Sequence, residues 1–161
     1  MPRLGYGSAS AAYTTGAHVL PFRMAIDPAT LAAYRQTEYH VHGAMPAVLQ
    51  VDVRCPELAA LHAAHDVQCS AFITACNPRG IVLDAVVNRQ REEALAAHLS
   101  NLGREGIEGV GRHPSNGWPE EPSLLVPGLS RTAAEALGRQ FEQNAIIWAG
   151  ADAVPELILL R

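Results

Sequence analysis

The apolar and polar positions along the chain change period many times, and each change marks an element. Asp27-Pro28 reads as a helix N-cap with proline in the first turn, and Leu31 and Tyr34 share one face of the short helix that follows. Thr37 to Gly43 and Ala47 to Val53 alternate with a period of two, which predicts two strands joined around Ala44-Met-Pro46. Cys55-Pro56 opens a second helix to about His65, with Leu58 and Leu61 on one face. Ser70 to Cys76 is apolar almost throughout, too short for a helix, and closed by Asn77-Pro78; this predicts a buried central strand. Asp84 caps a longer helix that stops at Leu102-Gly103. Strands near Gly106–Val110 and Ser123–Val126 flank a turn-rich loop from Gly111 to Pro122. Ser130 caps a fourth helix carrying Ala134, Leu137 and Phe141, and a last strand pair, Ala145–Trp148 and Glu156–Leu160, surrounds a turn from Gly150 to Pro155.

The predicted order is α-ββ-α-β-α-ββ-α-ββ. It defines one α/β (mixed α+β) domain over 27–161 with about seven strands and about four helices. Residues 1–26 are rich in Gly, Ala, Ser and Thr and lack a period. They read as a loosely ordered N-terminal arm with a short strand at His18-Val-Leu20, and their removal is expected to leave a folded domain. Helical crossovers favour parallel strands and short turns favour hairpins, so the expected sheet is mixed parallel and antiparallel. The same rules bring several strand ends to one sheet edge. The end of the central strand at Asn77 meets the strand starts at Thr37-Glu38, Glu121 and Gln143-Asn144, and the chain positions Arg54 and Arg161. In open α/β sheets such an edge is where ligands bind.

Composition narrows the function classes. Hydrophobic residues make up 48% of the 161 and charged residues 17%, a globular balance. The net charge of -4 and the lack of a basic patch argue against nucleic acid. No apolar run reaches the ~20 residues of a membrane span, and the N-terminus lacks the greasy segment of a secretory signal. Three cysteines without paired spacing suit a reducing cytoplasm. Neither a monomer nor a homo-oligomer is favoured.

The candidate ligand-binding residues are Asn77, Asn88, Trp118, Glu121 and Gln143. Asn88 lies at nearly the same helical angle as Leu95, Leu99 and Leu102, a polar group on an apolar stripe. It either ties down the Asn77 turn or offers its amide to a ligand, and a buried amide needs partners in both cases. Glu121 either anchors the 111–122 loop or acts as a base, and a lone carboxylate favours anchoring. Trp118 either stacks on a flat ligand or packs the loop down. His40 with His42, and His62 with His65, have spacings that a metal could use, but no HExxH or CxxC pattern accompanies them, so no metal site is expected. A Cys76 nucleophile with His113 competes with inert strand packing, which is the commoner role of a buried cysteine. Walker, GxGxxG and GxSxG patterns are missing, so no cofactor is expected.

Four stretches carry a resemblance. They are Ala71-Phe-Ile-Thr-Ala-Cys-Asn-Pro78, Asn88, Trp118-Pro-Glu-Glu-Pro-Ser-Leu-Leu-Val126 and Leu137-Gly-Arg-Gln-Phe-Glu-Gln-Asn-Ala-Ile146. Through them the chain, over roughly 27–161, resembles a bacterial family of uncharacterised proteins, domain-of-unknown-function family 3293. That resemblance implies an aromatic more often at Cys76 and a glycine more often at Glu142, and it implies no activity, cofactor or catalytic residue.

Two functions are therefore expected in competition. One is a cytoplasmic domain that binds a small polar ligand at the shared sheet edge, with catalysis left open. The other is a non-catalytic protein-interaction or regulatory module in which the same polar residues only brace loops.

Overall fold

The computed structural model describes residues 25–161, so most of the N-terminal arm, including His18–Leu20, lies outside the described residues. Helix α1 (Pro28–Gln36) starts as its sequence dictates: the Asp27 carboxylate accepts from the Thr30 backbone N–H at 3.0 Å, and Pro28 occupies the first turn. There follow β1 (Glu38–Val41), β2 (Ala47–Leu49), α2 (Pro56–Ala64), β3 (Ser70–Ile73), α3 (Ala85–Asn101), β4 (Ile107–Arg112), β5 (Glu121–Pro127), α4 (Arg131–Gln140), β6 (Ala145–Ala149) and β7 (Glu156–Leu159). A single 3-10 turn, Pro78–Gly80, separates β3 from α3.

The strands form one seven-stranded sheet in the order β2-β1-β4-β5-β3-β6-β7. Every neighbouring pair is antiparallel, which corrects the mixed sheet expected from the sequence. The helical connections do join strands that run the same way, as the crossover rule requires. Each, however, skips at least one place. β5 lies between β3 and β4, and β3 lies between β5 and β6. The place skipped by each of these two crossovers is filled by a strand of the opposite sense, and the three places between β2 and β3 alternate in sense, so no parallel pair forms.

Both faces of the sheet are covered. Phe72, Leu125 and Ile147 pack on α2 through Leu58 and Leu61, in a cluster that also takes in Leu49, Val51 and Cys55. Ala71, Ile73, Val126 and Ile146 pack on α3 and α4 through Leu95, Leu99, Ala134 and Leu137. Alternate residues of β3 thus serve two cores, which is why its sequence reads as an unbroken apolar run. Burying both faces at ~25 cal/mol per Å² of apolar surface is the main stabilising term.

Helices α2, α3 and α4 end in the same backbone device. The Asp66, Gly103 and Glu142 N–H groups donate to the Ala63, Ser100 and Arg139 carbonyls three residues back, and the N–H groups of the next residues, Val67, Arg104 and Gln143, donate to the His62, Leu99 and Gly138 carbonyls five residues back. All three capping residues have positive φ, at 52°, 68° and 59°.

The segment after β2 departs from the predicted strand to Val53. Val51 is buried, and the Asp52 and Cys55 N–H groups bond the Pro155 and Ala153 carbonyls beside β7. Arg54 is consequently exposed and does not join the residues at the shared edge.

Candidate functional site

The remaining strand ends do converge. Because β3 runs opposite to β5 and β6, its end at Asn77 lies beside the starts of β5 and β6. The start of β1, the end of β4 and the end of β7 reach the same edge through the register pairs Glu38–Arg112, Gly111–Glu121 and Ala145–Leu159. Helix α1 crosses over it. A cleft of about 600 Å³ results, lined by residues as distant in sequence as Tyr34, Asn77, Trp118, Glu121, Asn144 and Arg161.

Asn77 is the hub. It is buried, with φ at 47°, a left-handed conformation that asparagine tolerates. Its Oδ1 accepts from the Leu83 N–H at 3.0 Å and from Asn88 Nδ2 at 2.8 Å, and its backbone N–H donates to Asn88 Oδ1 at 2.9 Å. Leu83 N–H can only donate, so the amide orientation is fixed and Nδ2 must face Glu121, to whose Oε1 it donates at 2.9 Å. Trp118 Nε1 donates to that same oxygen at 3.2 Å. The Glu121 Oε2 atom has no hydrogen-bond partner among the described residues, yet it is not sealed from solvent; it opens to the cleft. Burial pushes the Glu121 carboxyl above its ordinary range, and the bonds from Asn77 and Trp118 only partly offset this.

A second hydrogen-bonded chain, from α1, the start of β6 and Arg161, also lines the cleft. Arg161 Nη1 donates to Asn144 Oδ1 at 2.8 Å, and Asn144 Nδ2 donates to the Tyr34 hydroxyl oxygen at 3.1 Å. Arginine has no acceptor, so the direction of this chain is fixed as well. Tyr34 receives a bond and keeps its own proton to donate. Burial raises the Tyr34 phenol above its ordinary value, with Glu121 raising it further and Arg161 lowering it.

Behind these walls a third group holds the β3 end. Glu92 Oε1 accepts from the Ala75 N–H at 2.6 Å and from Thr74 Oγ1 at 3.1 Å. Arg91 donates to the Ala75 and Phe141 carbonyls, both at 2.7 Å. Burial raises the Glu92 carboxyl above its ordinary range despite these bonds.

Of the five candidates, Asn77, Trp118, Glu121 and Gln143 line the cleft, and Asn88 does not. Both ends of the Asn88 amide are committed to Asn77 and to the Leu83 carbonyl, so Asn88 ties the turn to α3. Gln143 Nε2 donates to the Cys76 carbonyl at 3.0 Å, joining β3 to the start of β6. Cys76 is buried, its thiol pushed up to about 12 first by burial and then by Glu92, and His113 bonds Gln36 instead. Neither arrangement activates a nucleophile. His62 bonds Ser70 Oγ at 2.7 Å and His40 bonds Glu38 at 3.0 Å.

Sequence reasoning did not single out Tyr34, Glu92 or Arg79 as site residues. Tyr34 shares a helix face with Leu31, a spacing that predicts packing rather than a site. Glu92 had a usable signal: it lies four residues after Asn88, on the same helix face. Arg79 has φ at 56°, a conformation that no sequence pattern announces for arginine.

Fold and site together define a single α+β domain whose all-antiparallel sheet opens, at one edge, a cleft with a mostly apolar wall and a few converging polar groups. The family model described as "Protein of unknown function (DUF3293)" matches residues 73–146, so the chain resembles that family over the span from β3 to β6. The match contains the Asn77, Trp118, Glu121 and Gln143 positions and excludes Tyr34 and Arg161. Comparison with curated proteins and with solved structures finds no match.

Proposed function

We propose that this chain binds a small polar ligand in the cleft at the shared sheet edge. The observation that carries the reading is the concavity itself: about 600 Å³ bounded by α1 and by the ends of six strands, with converging polar groups on an aromatic-bearing wall. Sites of this size with few, well-placed polar groups are typical of small-molecule recognition. Glu121 Oε2 and the Tyr34 hydroxyl supply an acceptor and a donor with no protein partner for those roles among the described residues. Trp118, held by its indole N–H and 42% exposed, offers a face for stacking. Three free thiols support a reducing, cytoplasmic setting.

The test is a thermal-shift screen of polar metabolites on the wild type and on Ala145→Trp, in which an indole fills the cleft. Ligands should raise the melting temperature of the wild type only. Equal shifts in both proteins, or none in the wild type, contradict the reading.

One observation favours the rival reading of a protein-interaction module. Ile81, Val82, Val86 and Val87, around the start of α3, are 60%, 56%, 56% and 42% exposed. A partner docking there would protect α3 amides from hydrogen exchange and leave the cleft unchanged.

A further inference from the structure

Charges of opposite sign share the cleft without pairing. Arg79, Arg161 and Glu121 all line it, and none of them forms an ion pair among the described residues. Arg112, at the end of β4, does pair, with Glu120 in the loop that follows. The separation in the cleft is fixed by neighbours. Asn77 and Trp118 hold Glu121 by Oε1 and leave Oε2 free. Asn144 accepts from Arg161 Nη1 and passes the polarity on to Tyr34, whose hydroxyl oxygen accepts from Asn144 Nδ2 and whose proton has no acceptor among the described residues. Successive donors aligned in this way strengthen one another.

The cleft therefore presents a free acceptor at Glu121 Oε2 and a free donor at Tyr34, with the Arg161 cation linked to Tyr34 through Asn144; Asp27 and Arg79 also line it. From this we infer that the ligand is dipolar: a small molecule with an anionic group for the Tyr34–Arg161 end and an N–H-bearing group for Glu121 Oε2. The inference rests on the cleft being a binding site. Arginine forks suit carboxylate and phosphate alike, and a carboxylate accepts equally from an ammonium or from a nucleobase amine. Free amino acids and nucleoside monophosphates both have this chemistry.

Calorimetric titration decides it. One arm uses the L-amino acids, each against its parent amine and carboxylic acid. The other uses the nucleoside 5′-monophosphates against the nucleosides and inorganic phosphate. A dipolar probe from one arm should bind at least about tenfold more tightly than either of its halves. Glu121→Gln should reduce that advantage about tenfold by weakening the amine end, and Tyr34→Phe should reduce it at the anionic end. Thermal unfolding of each variant checks that it is folded, and either one alone suffices for the comparison. Halves that bind as tightly as the whole, or two silent arms, overturn the inference. If the thermal-shift screen finds a cleft ligand, blocked by Ala145→Trp, that has only one of the two groups, the binding reading stands and the dipolar inference fails.

Discussion

At the scale of single residues the site is a set of amides with fixed directions. Asn88 saturates its amide on the Asn77 turn, so Asn88→Leu, which nearly keeps volume, leaves the Asn77 N–H without its acceptor. We predict a loss of about 1–3 kcal/mol in urea unfolding, the cost of an unsatisfied buried group; unchanged stability would mean that water replaces the amide without penalty. Glu121 gives a pH signature. Its folded pKa is raised above the ordinary 4.5, so its contribution to stability is fully present below that value and is lost as pH rises through the folded pKa. Glu92 shifts the same way and adds to the effect. Glu121→Gln retains an Oε1 acceptor for Asn77 and Trp118 and removes the titration. Urea midpoints from about pH 4 to about pH 8 should fall less steeply for the variant than for the wild type. An identical slope in both proteins would assign the titration to other groups. The sequence made Asn77 and Glu121 legible because each sits at a strand end beside a turn. It left the roles of Tyr34 and Asn144 hidden, because both depend on a contact spanning 110 residues.

At the scale of elements, helix caps and close approaches carry the detail. Glu142 holds the left-handed capping position of α4, where glycine is favoured. Glu142→Gly relieves the strain but adds unfolded-chain entropy, so a gain of up to about 1 kcal/mol is expected in thermal unfolding; a loss would show that the Glu142 side chain itself stabilises the cap. Gly109 is required by a close approach. A Cβ there would lie 2.3 Å from the His40 carbonyl oxygen and 2.8 Å from Phe72 Cε2. Gly109→Ala should cost about 1–3 kcal/mol by overpacking, measured as a lower urea midpoint. Wild-type stability would show that β1 and β4 can part without penalty. Element identities were legible from period and caps: Asp27, Asp84 and Ser130 all cap as their positions predict. The end of β2 was not. Val51 and Val53 alternate as a strand would, yet the chain turns away to hydrogen-bond beside β7, a tertiary pairing that local pattern does not encode.

At the scale of the whole molecule, strand directions were legible and strand adjacency was not. Crossover and hairpin rules fix the sense of each strand relative to the last, and that alone decides which ends share an edge. The convergence of Asn77, Glu121, Gln143, Asn144 and Arg161 therefore survives although the sheet is wholly antiparallel. Which strand lies next to which depends on packing two helices against one face and one against the other. The central claim is that this edge is a binding site. Its most direct test is a proton–nitrogen correlation spectrum of the protein with and without a fractionated small-molecule cell extract. Two indole N–H signals separate the outcomes, because Trp118 Nε1 faces the cleft through Glu121 and Trp148 Nε1 bonds the Leu129 carbonyl on the opposite side of the sheet. Binding in the cleft should shift the Trp118 indole and the Asn77 and Asn144 side-chain amides and leave Trp148 unmoved. Shifts confined to residues around Ile81 and Val86, or a spectrum that does not change, would contradict it.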